Sequence, residues 1–264
     1  RSGQLARMMI PAAEALGVKI SVLAETEGSS AQLAASMVGD YRDGELVQFF
    51  AHDVDVVTSD QEHVPTALLE RLVAQGVNVR PGPHALVFAQ DKSLMRQRLA
   101  DIDVPLPPWA IASDQAAVNE FVGAQGGECV AKTPRGGYDG KGVRVIHAGA
   151  DVSDWLDEGA VLLEQKVEFV RELAQLVARR PSGDMVTFPL VQTVQADGVC
   201  AEVIAPAPDA SDQLQSEAAR IARTIAESLD VTGVLAVELF DYSSGLLVVN
   251  ELAMRPHNSG HVFT

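Results

Sequence analysis

The feature that most constrains this chain is a single acid in an apolar strand. Residues 234–240 are apolar apart from Glu238. They are followed by a turn-forming segment that closes on Gly245, and then by a second apolar stretch, residues 246–251, ending in Asn250 and Glu251. Two strand-length apolar runs around such a turn predict a β-hairpin. A carboxylate in a buried strand is costly unless it meets a cation or a full set of hydrogen bonds. The fold must therefore bring Glu238 a positive partner, and the hairpin brings Asn250 and Glu251 near it. A structural salt bridge is one solution. The other is a magnesium ion, since two acids and an amide suit a metal that also holds nucleotide phosphates.

The residues after the hairpin are as restrictive. Arg255, His257, Asn258, Ser259 and His261 crowd around Pro256 and Gly260. Set directly behind the acids, they read as an anion cradle rather than a plain polar loop, because arginine can grip a carboxylate or phosphate with two parallel bonds.

A glycine loop, Arg135, Gly136, Gly137, Tyr138, Asp139, Gly140, Lys141, Gly142, lies between strand-like residues 128–133 and 143–146. Its exposed backbone amides and Lys141 can approach phosphate oxygens. With a strand after it rather than a helix, it is not a Walker loop. It reads either as a lid over ATP or as an ordinary flexible hairpin. Lys132 sits in an otherwise apolar strand and faces either a phosphate-binding cleft or water. Lys92 opens a helix and is within reach of the same phosphate or is a surface residue. Glu164, followed by Gln165, Lys166 and Val167, ends an apolar strand where a turn can meet an adenine edge, with Glu172 on the ribose; solvent-facing acids are the plainer reading. Two weaker candidates lie early in the chain. The helix start at Gln4 offers amides to an anion, and Glu62 follows a strand end of the kind where open α/β sheets place ligands.

Composition narrows the classes further. With 264 residues, 47% of them hydrophobic, the chain can build one large domain or two to three small ones. A formal charge of −16 opposes binding to nucleic acid or anionic lipid, though not to a phosphorylated small molecule held in a local basic pocket. No apolar run is long enough to span a membrane, and no secretory signal pattern is present. Cys129 and Cys200 lack metal-ligand spacing and read as reduced core residues, which fits a cytoplasmic protein. The N-terminal loop lacks the apolar strand that a Rossmann-like unit places before it, and nothing closes the chain after residue 261, so a fragment or a partly ordered chain is expected.

Helical spacing over residues 4–16 and 68–74, with short strands at 19–24, 55–58 and 77–79, predicts an α/β unit with a parallel sheet. A helix over 91–100, with Leu94, Met95 and Leu99 inward, opens the next unit. A helix capped by Ser113 and Asp114 and the strands around the glycine loop continue it. Strands at 171–179 and 185–193, a long helix over 212–228 and the terminal hairpin complete the pattern.

Taken in order, six segments resemble one family: residues 3–8, 55–65, 90–92, 137–142, 171–173 and 250–261. The chain resembles the N5-carboxyaminoimidazole ribonucleotide synthetase family of ATP-grasp enzymes, which act in purine biosynthesis. The last segment, with Arg255, Pro256, His257, Asn258, Ser259, Gly260 and His261 in register, is the most specific part of the match. The resemblance implies an α/β and α+β, three-domain ATP-grasp architecture: a Rossmann-like substrate domain over 1–88, a lid domain over 89–167 and a catalytic domain over 168–264. It implies ATP contacts from Lys92, Lys132, residues 137–143 including Val143, Glu164, Gln165, Lys166, Val167, Glu172, Gln195, Asn250 and Glu251. Magnesium would lie on Glu238 and Glu251. Arg255, His257 and Asn258 would hold bicarbonate and carboxyphosphate. Gln4, Glu62, Asp139 and Ser259 would face aminoimidazole ribonucleotide. A homodimer is also implied.

Three departures from the family stand out. Arg1, Ser2 and Gly3 replace its first glycine run, Gln195 stands at its usual histidine, and His63 stands at a common asparagine. Its final region does not follow Thr264. The competing readings are another ATP-grasp ligase such as formate-dependent glycinamide ribonucleotide transformylase, a nicotinamide-dependent oxidoreductase suggested by the opening unit, and a nucleotide-binding subunit without turnover.

Overall fold

The computed structural model describes residues 3–137, 141–196 and 198–263. Three groups of elements follow one another. The first holds α1 (Gln4–Ala15), β1 (Val22–Ala24), β2 (Ala35–Val38), α2 (Gly44–Ala51), α3 (Thr66–Ala74) and α4 (Pro83–Gln90). The second holds α5 (Lys92–Asp101), β3 (Trp109–Ala112), α6 (Gln115–Ala124), β4 (Cys129–Lys132), β5 (Val143–Ile146), α7 (Ser153–Leu156) and β6 (Val161–Glu164). The third holds β7 (Arg171–Arg179), β8 (Met185–Thr187), β9 (Val191–Ala196), β10 (Val199–Ile204), α8 (Asp212–Ser228), β11 (Gly233–Asp241) and β12 (Leu247–Ala253), then a 3₁₀ segment, Asn258–Phe263. No helix among the described residues is long and apolar enough to cross a membrane.

Local chemistry explains several boundaries. Asp43, Asp91, Asp114 and Ser211 each cap a helix by accepting backbone N–H bonds, which satisfies donors that the first turn leaves free. The long helix α8 is amphipathic. Leu214, Ala218, Ile221, Ala222 and Ile225 form one buried stripe, and this stripe lies on the six-stranded sheet ordered β10-β9-β7-β11-β12 with β8 paired to β7.

That sheet carries the main core. Leu235, Val237 and Leu239 of β11 join it with Leu173 and Val177 of β7 and with Met95 and Leu99 of α5. A second core fills the four-stranded sheet β3-β6-β4-β5 and includes Ala131, Ile146, Leu163 and Val118. Helix α5 precedes that sheet in sequence yet packs into the main core. It therefore links the small sheet to the large one.

The structure corrects several expectations. The parallel sheet of the first unit reduces to the pair β1–β2 plus one parallel bridge, Val57 to Val79. Residues 55–58 are therefore not a strand: Val57 accepts from Arg80 N and donates to Asn78 O, and pairing stops there. Leu94 points outward at 44% exposure. The inward face of α5 is instead set by Met95 and Leu99, with Arg96 beside them and fully buried. Residues 185–193 form two strands, since Pro189 cannot donate to a ladder. Strands β2, β3 and β10 and helix α2 are additions to the expected pattern. Cys129 is a core residue as expected, but Cys200 lies half-buried on the edge strand β10.

Candidate active site

The site begins with a fault in the β11–β12 ladder. Glu238 pairs directly with Glu251, but the next pair is Leu239 with Val249, so Asn250 is an extra residue. This is a β-bulge. Its consequence is side-chain direction. Strand residues alternate faces, so a regular β12 would put Val249 and Glu251 on the same side. With Asn250 inserted, Val249 and Leu252 both face the main core. Glu251 and Ala253 turn to the other face, where Glu238 and Ala236 lie opposite them. The bulge thus places two carboxylates side by side on the face away from α8.

Basic side chains from three parts of the chain converge on this face. Lys92, at the start of α5, pairs with Glu251 Oε1. Lys132, the last residue of β4, donates to Asn250 Oδ1 at 3.2 Å and pairs with Glu164 Oε2 at 2.8 Å. His257 Nε2 lies 3.1 Å from Glu238 Oε1. Burial of Glu238 would raise its carboxyl, but the bond to His257 and the charges of His257, Arg255 and Lys132 hold it below the ordinary range. The strand acid has found its partners, as its burial requires.

Glu164 is not a solvent-facing acid; it is 3% exposed. Burial alone would raise its carboxyl. The charges of Arg96 and Lys132, and their hydrogen bonds, bring it instead down to about 2. Arg96 was not among the expected site residues. Its Nε lies 2.5 Å from Glu164 Oε1, and its Nη2 donates to the Asn250 carbonyl at 2.5 Å. The available signal was spacing: Arg96 follows Lys92 by one helical turn, so both lie on one face of α5.

The anion-cradle residues are distributed by burial. Arg255 Nε is 3.2 Å from Glu62 Oε2, and the Met254 amide donates to Glu62 Oε1 at 3.3 Å. Glu62 is thus joined to the C-terminal segment although far from it in sequence. Burial raises its carboxyl against the opposing pull of Arg255. The loop carrying Glu62 is held by Gln90, whose amide donates to the carbonyls of Glu62 and Val64 at 2.7 and 2.9 Å and accepts from Thr66. Ser259 is fully buried and its hydroxyl is 2.7 Å from His257 Nδ1, so it reaches the site through that ring. Asn258 is exposed at the start of the 3₁₀ segment. Gln4 is exposed at the start of α1, where the Ala6 amide already donates to Asp60 Oδ2 at 3.4 Å.

Glycine conformation shapes the neck of the loop between β4 and β5. At Gly142 φ is +74°, and an added Cβ would fall 2.3 Å from Thr133 Oγ1; at Gly137 it would fall 2.7 Å from the Lys141 carbonyl. Only glycine leaves room for the two arms to approach this closely. The loop is tied to α5 through Arg135, whose Nε is 2.8 Å from Asp91 Oδ2. Tyr138, Asp139 and Gly140 lie outside the described residues. Val143 is exposed at the start of β5. Beyond β6, Gln165 donates from its backbone to Pro108 at 2.8 Å, and Lys166 turns to a surface pair with Glu128 at 3.0 Å. Val167 is partly buried. Glu172 on β7 accepts from Gln195 Nε2 on β9 at 3.1 Å, so those two form a separate acid–amide pair.

Among the described residues no three His, Cys, Asp or Glu side chains converge into a closed metal cage. Magnesium does not need one. It is usually held by one or two carboxylates, with substrate phosphates and water completing its shell. Glu238 and Glu251 have the chemistry of such a donor pair, and their oxygens now meet the His257 ring and the Lys92 ammonium.

Paired acids on adjacent antiparallel strands, two lysines from neighbouring elements and a glycine hairpin beside them have the chemistry to hold nucleotide phosphates and fit an ATP-grasp fold. Comparison with known proteins gives the same class. The ATP-grasp domain model matches residues 97–264, and the ribonucleotide synthetase preATP-grasp domain model matches residues 1–90. The N5-carboxyaminoimidazole ribonucleotide synthase of Mycobacterium bovis is 50% identical over 98% of this chain and 62% of its own length. The N5-carboxyaminoimidazole ribonucleotide synthetase structure from Thermus thermophilus superposes with a TM-score of 0.89 at 31% identity, over 98% of this chain and 71% of that one. The Aspergillus clavatus N5-carboxyaminoimidazole synthase, solved with ADP and 5-aminoimidazole ribonucleotide, superposes with a TM-score of 0.87 at 28% identity, over 99% of this chain and 70% of that one. The chain belongs to the N5-carboxyaminoimidazole ribonucleotide synthase family of ATP-grasp proteins. It spans 62% of the length of the Mycobacterium relative, so the activity of the whole protein is taken up as a proposal. The nicotinamide oxidoreductase reading of the opening unit is set aside by the family match.

Proposed function

We propose that this protein carboxylates 5-aminoimidazole ribonucleotide to its N5-carboxyamino derivative, using ATP and bicarbonate. The observation that carries the reading is the contact between Arg255 and Glu62. It joins the segment behind the acidic pair to the loop of the first unit, which supports a reading in which phosphate chemistry and a second substrate would meet there.

ATP would lie with its phosphates over Lys92, Lys132 and the glycine loop, its adenine near residues 164–167 and its ribose near Glu172 and Gln195. Magnesium, held by Glu238 and Glu251, would neutralise charge on the phosphates. Lys132 would offset charge that develops on the transferring phosphoryl group. Bicarbonate oxygen attacks the γ-phosphorus, the bond to the β-phosphate oxygen breaks, and ADP and carboxyphosphate result. Arg255, His257 and Asn258 would grip these anions, Arg255 exchanging its pair with Glu62 for the incoming carboxylate. Carboxyphosphate then releases carbon dioxide and phosphate. The exocyclic amine of the ribonucleotide, which Gln4, Glu62 and Asp139 would orient, attacks the carbon dioxide and gives up its proton to the phosphate just released. Exclusion of water by the glycine loop would protect the intermediate from hydrolysis. The chain would act in the cytoplasm as a homodimer, as its family suggests. We assign residues 1–88, 89–167 and 168–264 to its substrate, lid and catalytic domains.

The test is phosphate release from ATP with the ribonucleotide and bicarbonate each present or omitted. Release that depends on both supports the reading. Release that depends on formate and glycinamide ribonucleotide would favour the transformylase instead. ATP binding without release under any of these conditions would favour a nucleotide-binding subunit.

A further inference from the structure

Arg96 is fully buried, and no substrate is expected to touch it. Its contacts nevertheless end on the two groups that orient Lys132. Glu164 has two carboxylate oxygens: Oε1 meets Arg96 Nε at 2.5 Å and Oε2 meets Lys132 Nζ at 2.8 Å. The bulge residue Asn250 is divided in the same way. Its carbonyl accepts from Arg96 Nη2 at 2.5 Å, and its side-chain oxygen accepts from Lys132 at 3.2 Å. A lysine ammonium has three donors. Glu164 and Asn250 take two, which leaves one for an anion.

We infer that Arg96 is a positioning residue for Lys132: by occupying Glu164 Oε1 and the Asn250 carbonyl, it keeps Lys132 from being fully claimed by Glu164. Without Arg96 both carboxylate oxygens would face the lysine, and the bulge would lose the donor that fixes it. The ammonium would then be drawn back toward β6 and away from a nucleotide. Glu164 would change from a shared anchor into a competitor of phosphate for the same cation. Arg96 suits the task better than lysine, because its planar fork serves two acceptors in fixed directions. The remaining nitrogen of that fork, Nη1, is buried with no hydrogen-bond partner among the described residues, so the polar contacts of the fork are those of Nε and Nη2. The inference rests on the proposal that Lys132 contacts nucleotide phosphate.

The experiment is calorimetric titration of the purified protein with ADP and excess magnesium. The variants are Arg96→Met, Lys132→Met, both together, Glu164→Gln, and Arg96→Met with Glu164→Gln. The expected result is an affinity loss of about ten-fold for Arg96→Met that largely disappears in the Lys132→Met background, as coupled sites require. In the Glu164→Gln background, adding Arg96→Met should cost no more than about three-fold in affinity, because the competitor is already absent. An equal loss in both lysine backgrounds, or unchanged affinity in Arg96→Met, overturns the inference. If Arg96→Met does not fold, the comparison of Glu164→Gln with and without Arg96→Met decides alone. A difference within about three-fold supports the inference, and a further loss of about ten-fold or more overturns it. Wild-type protein that binds no ADP refutes the nucleotide reading itself, and that result is visible without any substitution.

Discussion

Replacement of Glu164 by glutamine isolates the electrostatics of the buried cluster. Glu164 lies between Arg96 and Lys132 with its side chain 4% exposed. Its carboxyl stands at about 2 instead of 4.5, the two cations outweighing burial. At ~1.36 kcal/mol per pH unit, that difference is worth roughly 3 kcal/mol to the folded state. The sign follows from a folded value below the unfolded one. The contribution is complete above about pH 4.5 and is lost as pH falls toward about 2. Glutamine keeps the shape but removes the charge, leaving Arg96 buried beside a neutral amide. Breaking a buried pair typically costs about 3–5 kcal/mol, in line with this value. For a chain of this size the melting temperature should fall by roughly 6–12 °C at pH 7. Scanning calorimetry without nucleotide measures it, since a bound ligand would raise both proteins by mass action. Urea unfolding between pH 7 and pH 3 should show the gap between wild type and variant closing below about pH 4.5. A fall of less than about 2 °C at pH 7, or a gap that does not change with pH, would refute the reasoning.

Three further outcomes are expected. Glu251→Gln should reduce ATP cleavage by about a hundred-fold or more, with melting changed only slightly, because it removes half of the acid pair on a partly exposed face; near-normal phosphate release would sink the metal assignment. Arg255→Ala should raise the bicarbonate KM by about ten-fold or more while ADP affinity stays as it was, and loss of ADP binding would move Arg255 to the nucleotide site. Cys129, whose thiol burial pushes up to about 11, should resist alkylation at pH 8 in the native protein and react once urea unfolds it. Rapid native labelling at Cys129 would show that the second core opens easily.

Some of this was legible without a structure because it depends on local rules. The span of α8 follows from a serine cap and an apolar stripe at helical spacing. The hairpin follows from two apolar runs around a turn, and Glu238 attracts attention because a charge in such a run needs a partner. The motif from Arg255 to His261 carried the family resemblance through residue identity alone. The first unit was harder to read. Residues 55–58 have strand-like chemistry, yet whether a strand forms depends on neighbours that a local window does not contain.

Sequence by itself determined helix α8, the terminal hairpin, the need of Glu238 for a partner and the family the chain belongs to, since each follows from side-chain identity and near spacing. Tertiary structure alone decided how these parts meet. Alternation in β12 would have sent Glu251 to the core side with Val249, and the bulge at Asn250 reversed this; a bulge exists only once β12 is registered against β11. Arg96 looks like a surface residue of a charged helix until α5 packs into the main core and Glu164 and Asn250 close around it. Glu62 and Arg255, far apart in sequence, become an ion pair only when the two ends of the chain fold together. Long-range pairing and burial set these charges in place, and both belong to the whole fold rather than to any stretch of it.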